Sequence, residues 1–210
     1  MLLIKASDSI FLFLSNNEID GHLTDTFNVL DFEYMYNGAG VASGDINNDG
    51  LLDLYFAGNF VSGQLYLNKG QLKFEDITAQ SGITTEKWGT GVSMVDINKD
   101  GWLDIYICVA GPSEKEEDHS NYFFINQGLD DNGIPQFKDM AKEFGLADTG
   151  YSTMAAFLDY DKDNDLDVYI LTNALETYNR NTLRPKITNG SAKSNDRLYR
   201  NNGDNTFTNV

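Results

Sequence analysis

A chain of 210 residues is long enough to bury a sizeable core, and its 41% hydrophobic and 12% aromatic content suits a folded protein, not a disordered one. The formal net charge of −17 excludes nucleic acid as a partner, because phosphates are held by clustered Lys and Arg. What remains is a solvated acidic surface or anionic sites that hold cations.

The chain opens with MLLIKASDSIFLFLSNN, which has one Lys and a short apolar run from Ile10 to Leu14. That run is too short for a secretory signal, nothing in the chain reaches the length of a transmembrane segment, and residues 1–32 receive no repeat assignment. The stretch GAGVASGD then leads small residues into a crowded loop, with Asp45, Asn47, Asp49 and Asp53, followed by LDLYF. LYLNKG (65–70) reads as a strand closing on a hairpin turn, and FEDI (74–77) as a further strand. A second copy begins at GTGVSMVD and carries Asp96, Asn98, Asp100 and Asp104 before IYICV. Cys108 in that run is the chain's single cysteine, so no intrachain disulfide can form, and its apolar neighbours mark a buried structural thiol. The insertion GPSEKEEDHS (111–120), FFINQG (123–128) and FKDM (137–140) follow, and DMAKEFGLA has helical character enough for one or two turns. The third copy, after STMAAFLD, carries Asp159, Asp161, Asp163 and Asp167, then the long insertion 173–195, LYRNNG (198–203) and FTNV (207–210). Each insertion is either a partner-binding loop or a tolerated addition.

The three copies share one template, Asp-x-[Asp/Asn]-x-Asp-x-x-x-Asp, then an aliphatic residue and Tyr. Openings at Asp45, Asp96 and Asp159 set a repeat of roughly 50–60 residues, the scale of propellers, solenoids and arrays. Each unit holds four short β-type segments parted by Gly, Asn and Asp turns, which predicts an all-β chain of four-stranded antiparallel sheets. Arranged radially, such sheets are the blades of a β-propeller. About three blades are predicted, spanning roughly 38–77, 89–140 and 152–210. Since propellers have about four to eight blades, the expected object is a partial propeller, completed by further blades or domains of a longer parent protein and prone to self-association on its own.

Oxygen donors at alternating positions of a tight loop suit a hard cation, Ca²⁺ above Mg²⁺. Counted from the first Asp, positions one, three, five and nine offer side-chain oxygens. Position seven is Leu51, Trp102 or Asp165 and offers its backbone carbonyl. Position six is Gly50, Gly101 or Asn164, residue types that tolerate the left-handed region of a sharp turn. An EF-hand is excluded, because its bidentate Glu at position twelve is replaced by Phe56, Ile107 and Ile170 in strand-like sequence. A plain Asp/Asn turn without an ion is the competing reading, and the crowding of like charges opposes it.

The run YNGAGVASGDINNDGLLDLYFAGN, with LYLNKG and FEDITAQSGI after it, resembles FG-GAP/VCBS repeats, the units of integrin-α-type β-propellers. It is most similar to bacterial VCBS-repeat proteins related to cartilage acidic protein, which often carry an ASPIC/UnbV-type domain. The resemblance covers residues 33–210 and implies one calcium-bearing loop between the first and second strands of each blade. The implied ligands are Asp45, Asn47, Asp49, Leu51 and Asp53; Asp96, Asn98, Asp100, Trp102 and Asp104; and Asp159, Asp161, Asp163, Asp165 and Asp167. Asn164 departs from the family's usual Gly.

No catalytic motif stands out: His22 and His119 lack ligand-spaced partners, GAGVAS leads into the acidic loop instead of a helix, and neither a nucleophile elbow nor a P-loop occurs. The expected function is therefore non-enzymatic: a calcium-binding extracellular, cell-surface or periplasmic module for adhesion or for binding a protein or glycan ligand. The alternative is the scaffold propeller of a secreted polysaccharide-acting enzyme.

Overall fold

The computed structural model describes residues 38–210 except 60, 114, 174–186, 188, 191 and 193. The N-terminal segment 1–32 and most of the 173–195 insertion therefore lie outside the described residues. Among the described residues, twelve strands form three four-stranded antiparallel sheets in strict chain order. The first holds β1 (Val41–Gly44), β2 (Asp53–Phe56), β3 (Gln64–Asn68) and β4 (Phe74–Asp76). The second holds β5 (Gly89–Val95), β6 (Asp104–Val109), β7 (Tyr122–Leu129) and β8 (Pro135–Asp139). The third holds β9 (Ser152–Leu158), β10 (Asp167–Thr172), β11 (Arg197–Asn201) and β12 (Phe207–Asn209). This is the architecture of a partial β-propeller with three blades.

The small residues before each acidic loop are explained by how closely the first strands approach. The Gly40 amide donates to the Thr90 carbonyl at 2.5 Å, and a Cβ on Gly40 would lie 2.4 Å from that oxygen. A Cβ on Gly91 would lie 2.3 Å from the Thr153 carbonyl oxygen. Hydroxyls complete the seam, with Thr90 Oγ1 donating to Ser152 O at 2.7 Å and Ser93 Oγ to Ala155 O at 2.6 Å. Gly91→Ala is accordingly expected to cost about 1–3 kcal/mol, since backbone has to move to admit the methyl; urea unfolding of both proteins measures it, and an unchanged midpoint would contradict the close approach.

Blades pack face to face, and the strand period of two sorts the side chains between two cores. Tyr55, Ala57, Leu65 and Leu67 of the first blade meet Val92, Ile105, Ile107 and Phe124 of the second. Tyr106, Cys108, Phe123 and Ile125 point the other way, against Ala155, Val168, Ile170 and Phe207 of the third. Sandwiched from both sides, β6 is buried along its whole length. Cys108 is 1% exposed, as its apolar neighbours predict. The outward face of the third blade carries Met154, Leu158, Tyr169 and Leu171, all exposed.

DMAKEFGLA makes a single helical turn, Ala141–Phe144, closed by Gly145 at φ 74°. A matching turn, Thr78–Ser81, closed by Gly82 at φ 77°, and a 3₁₀ turn, Glu116–His119, are not signalled by the sequence, because four residues are too few to show a period.

Candidate metal loops

Each acidic loop joins the first and second strands of its blade: β1 to β2, β5 to β6 and β9 to β10. Crowded carboxylates fold here because the backbone supplies the donors. Asp45 accepts from the amides of Asp49 and Gly50 at 3.0 and 2.8 Å, Asp96 from Asp100 and Gly101 at 3.1 and 3.0 Å, and Asp159 from Asp163 and Asn164 at 3.1 and 3.1 Å. The fifth-position carboxylate accepts from the seventh-position amide in all three, at 2.8, 2.9 and 3.0 Å. Position six is left-handed as its residue types allow, with φ 84° at Gly50, 89° at Gly101 and 74° at Asn164. Position four is left-handed too, at Asn48, Lys99 and Lys162, which residue type does not announce for lysine.

The ninth-position carboxylates, Asp53, Asp104 and Asp167, are fully buried. Asp53 accepts from the amides of Ile46 and Asn68 at 3.0 and 2.8 Å, Asp104 from Ile97 and Asn126 at 3.1 and 2.8 Å, and Asp167 from Tyr160 and Asn201 at 2.9 and 2.9 Å. They thus tie the loop to the end of the third strand. The asparagine of each Asn-x-Gly turn returns the tie, donating to the eighth-position carbonyl: Asn68 to Leu52 at 3.0 Å, Asn126 to Leu103 at 3.3 Å and Asn201 to Leu166 at 3.2 Å. Sequence reasoning reads these asparagines only as turn formers; their recurrence at one place in every unit is the signal that they also brace the loop.

The third-position residue separates the loops chemically. Asn47 Nδ2 donates to Asp49 Oδ2 at 2.9 Å and Asn98 Nδ2 to Asp100 Oδ2 at 2.8 Å. Asp161 has no proton to give, so the third loop holds adjacent carboxylates. Asp161 is exposed, yet desolvation within the loop, then repulsion from Asp163, pushes its carboxyl up. Burial and then Asp163 do the same to Asp165, whose Oδ1 is buried with no hydrogen-bond partner. One oxygen from each of Asp159, Asp161 and Asp167 lies within 4.8 Å of the others. This all-oxygen set fits a hard divalent cation, and the orphaned Asp165 Oδ1 of the same loop is a further oxygen without a protein donor.

Burial also pushes the Asp53 carboxyl up to about 6 and that of Asp104 up to about 7, against the pull of their amide donors. The folded state therefore binds protons more tightly than the unfolded chain, and stability falls as pH rises from about 4 through 7. Melted in a chelator, the protein is expected to unfold a few degrees higher at pH 5 than at pH 8, since about 1 kcal/mol moves Tm by roughly 2–4 °C at this size. A melting temperature that rises with pH would contradict the burial of these two acids as ionised groups.

Residues 45–107 match the FG-GAP-like repeat. Over 135 residues the chain is 31% identical to cartilage acidic protein 1 of Xenopus tropicalis, a match covering 63% of this chain and 19% of that protein. The chain thus spans about a fifth of the length of this curated relative. No helix among the described residues is long and apolar enough to cross a membrane.

Proposed function

On a scaffold that carries FG-GAP-like repeats, we propose a calcium-binding extracellular module that engages a protein or glycan ligand. Repeats of this family are generally ligand-binding or adhesion-related and typically non-catalytic, and a relative named for cartilage supports an extracellular setting. The observation that carries the calcium reading is the third loop, where one carboxylate oxygen from each of Asp159, Asp161 and Asp167 lies within 4.8 Å of the others. The proposed ligands are the side chains at positions one, three, five and nine and the carbonyls of Leu51, Trp102 and Asp165, for about three ions. When bound, calcium would supply the positive charge that offsets the crowded carboxylates; the chain's own residues preset the loop through the amide ties to Asp53, Asp104 and Asp167. Extracellular modules bind calcium at about 10⁻⁴–10⁻³ M, and the working compartment that goes with this reading is outside the cell, at its surface or in a periplasm.

For the organic ligand, a groove of about 580 Å³ lies between the second loop and the β11–β12 hairpin. Trp102, Met140 and Phe144 give it apolar surface, and Glu143, Asp204 and Asn98 give it polar groups. Metal analysis after dialysis in millimolar calcium tests the first half of the proposal, with melting curves before and after chelation. Bound calcium and a melt that rises with it are expected; a metal-free protein with an unmoved melt would sink the reading. Glycan and matrix-protein arrays probed with and without calcium test the second half, for which saturable calcium-dependent binding without turnover is expected.

A further inference from the structure

The three loops touch one another at equivalent places. Asn48, at position four of the first loop, donates through Nδ2 to the carbonyl of Gly101 at 3.0 Å, and Gly101 is position six of the second loop. Lys99, at position four of the second loop, donates through Nζ to the carbonyl of Asn164 at 2.6 Å, and Asn164 is position six of the third. An amide and an ammonium thus make the same bond at the same point of the repeat. In both cases the residue that is held is the one whose own amide holds the first-position carboxylate: Gly101 N donates to Asp96 Oδ2 and Asn164 N to Asp159 Oδ2. Asn126 adds a second link to the first pair, since its Nδ2 donates to Ile46 O at 3.0 Å and to Leu103 O at 3.3 Å.

We infer that Asn48 and Lys99 are positioning residues for the following loop, so that filling one loop tightens cation binding in the next. This rests on the calcium reading above. Asn48 stands between Asn47 and Asp49, two proposed ligands of the first loop. A cation held there fixes the backbone from which the Asn48 side chain reaches out. The ordering of the Gly101 turn, and through it of Asp96, is then partly complete before the second cation arrives, which is how one binding event lowers the entropy cost of another. Lys99 repeats the step toward Asp159, with a charge-assisted bond that is stronger than the neutral one. By linkage the effect is mutual: an occupied second loop also tightens the first.

Trp102 lies inside the second loop, so terbium, an oxygen-seeking stand-in for calcium, emits there when the indole is excited. The experiment titrates terbium into the 210-residue chain and reads the sensitised emission. Asn48→Gly keeps the left-handed φ of 57° accessible while removing the donor. It is expected to weaken terbium at the second loop about fivefold, the lower end of typical coupling. Asp45→Ala, which vacates the first loop, is expected to do the same, and the double variant no more than either alone. Asn48→Lys, copying Lys99, is expected to restore the affinity, which a role in general stability would not produce. Equal affinities in wild type, Asn48→Gly and Asp45→Ala, or additive losses in the double variant, would overturn the inference and leave the calcium reading standing. Absence of any saturable emission from the wild type would overturn both.

Discussion

Replacing Asp161 with Asn is expected to move two properties of this protein in opposite directions. The variant amide can donate to Asp163 as Asn47 does to Asp49 and Asn98 to Asp100. It also removes an exposed carboxyl whose ionisation is opposed by desolvation in the loop and by crowding against Asp163. A hydrogen bond of this kind is worth about 0.5–1.5 kcal/mol, so the chelated protein should melt roughly 2–4 °C higher for each kcal/mol gained. Calcium affinity at the third loop should fall instead. One unit charge about 4 Å from a doubly charged cation in water-like surroundings is worth ~2 kcal/mol, about thirtyfold in affinity. Asp159→Ala removes the oxygens that hold the amides of Asp163 and Asn164 and should abolish binding there. Calorimetric titration and paired melts read both effects. A D161N protein that binds calcium as tightly as wild type, or that loses stability without metal, would contradict the separation between amide-bearing and all-acid loops.

The isolated chain is expected to pair with a second copy through its third blade. On β9 and β10, Met154, Leu158, Tyr169 and Leu171 are 44%, 42%, 39% and 46% exposed, and all face the same way. Tyr106 and Cys108 occupy the same strand positions in the second blade as Tyr169 and Leu171 in the third, and there they lie under the next blade. A contiguous apolar face of this kind favours association. Among the described residues of the first blade, Tyr66 is fully buried and packed edge-on against Phe56 with ring centroids 5.9 Å apart, so its large aromatics are less exposed than the apolar residues of the third blade. Contact is therefore expected between two third blades and should stop at a dimer. Light scattering over a concentration series checks this, with Leu171→Lys combined with Met154→Glu as the partner-free control. A monomer at every concentration, or assembly that continues past two copies, would be the contrary result.

The blade was legible because its signals are local. Alternating apolar residues, small residues before each loop and Asn-x-Gly turns all act within a few positions, and three copies make each pattern visible against the others. What lay hidden depends on distance across blades. The strand period puts Ile105 and Tyr106, adjacent in β6, on opposite faces, but which residues of the two neighbouring blades each one meets is not written in their order. Likewise the candidate ligand positions stand out as acidic spacing, whereas the reach of Asn48 to Gly101 and of Lys99 to Asn164 joins residues 53 and 65 positions apart. The ninth-position carboxylates occupy an intermediate place: their spacing is visible, but their ties to the amides of Asn68, Asn126 and Asn201 appear only once the third strand returns beside the second.

The aromatic that follows each loop gives the blade a head and a tail. Tyr55 and Tyr106 always face the later neighbour, while Val92 and Ala155 receive from the earlier one. Contacts of this sort are heterologous, one surface meeting a different surface, and repeating them turns every unit by the same rotation. The count of units in a finished circle is then a matter of angle: it is the number of such turns that brings the last tail back to the first head. Substitutions that widen or narrow the wedge between two sheets, at Ala57 or Cys108 for example, would therefore change ring size before they changed the unit itself.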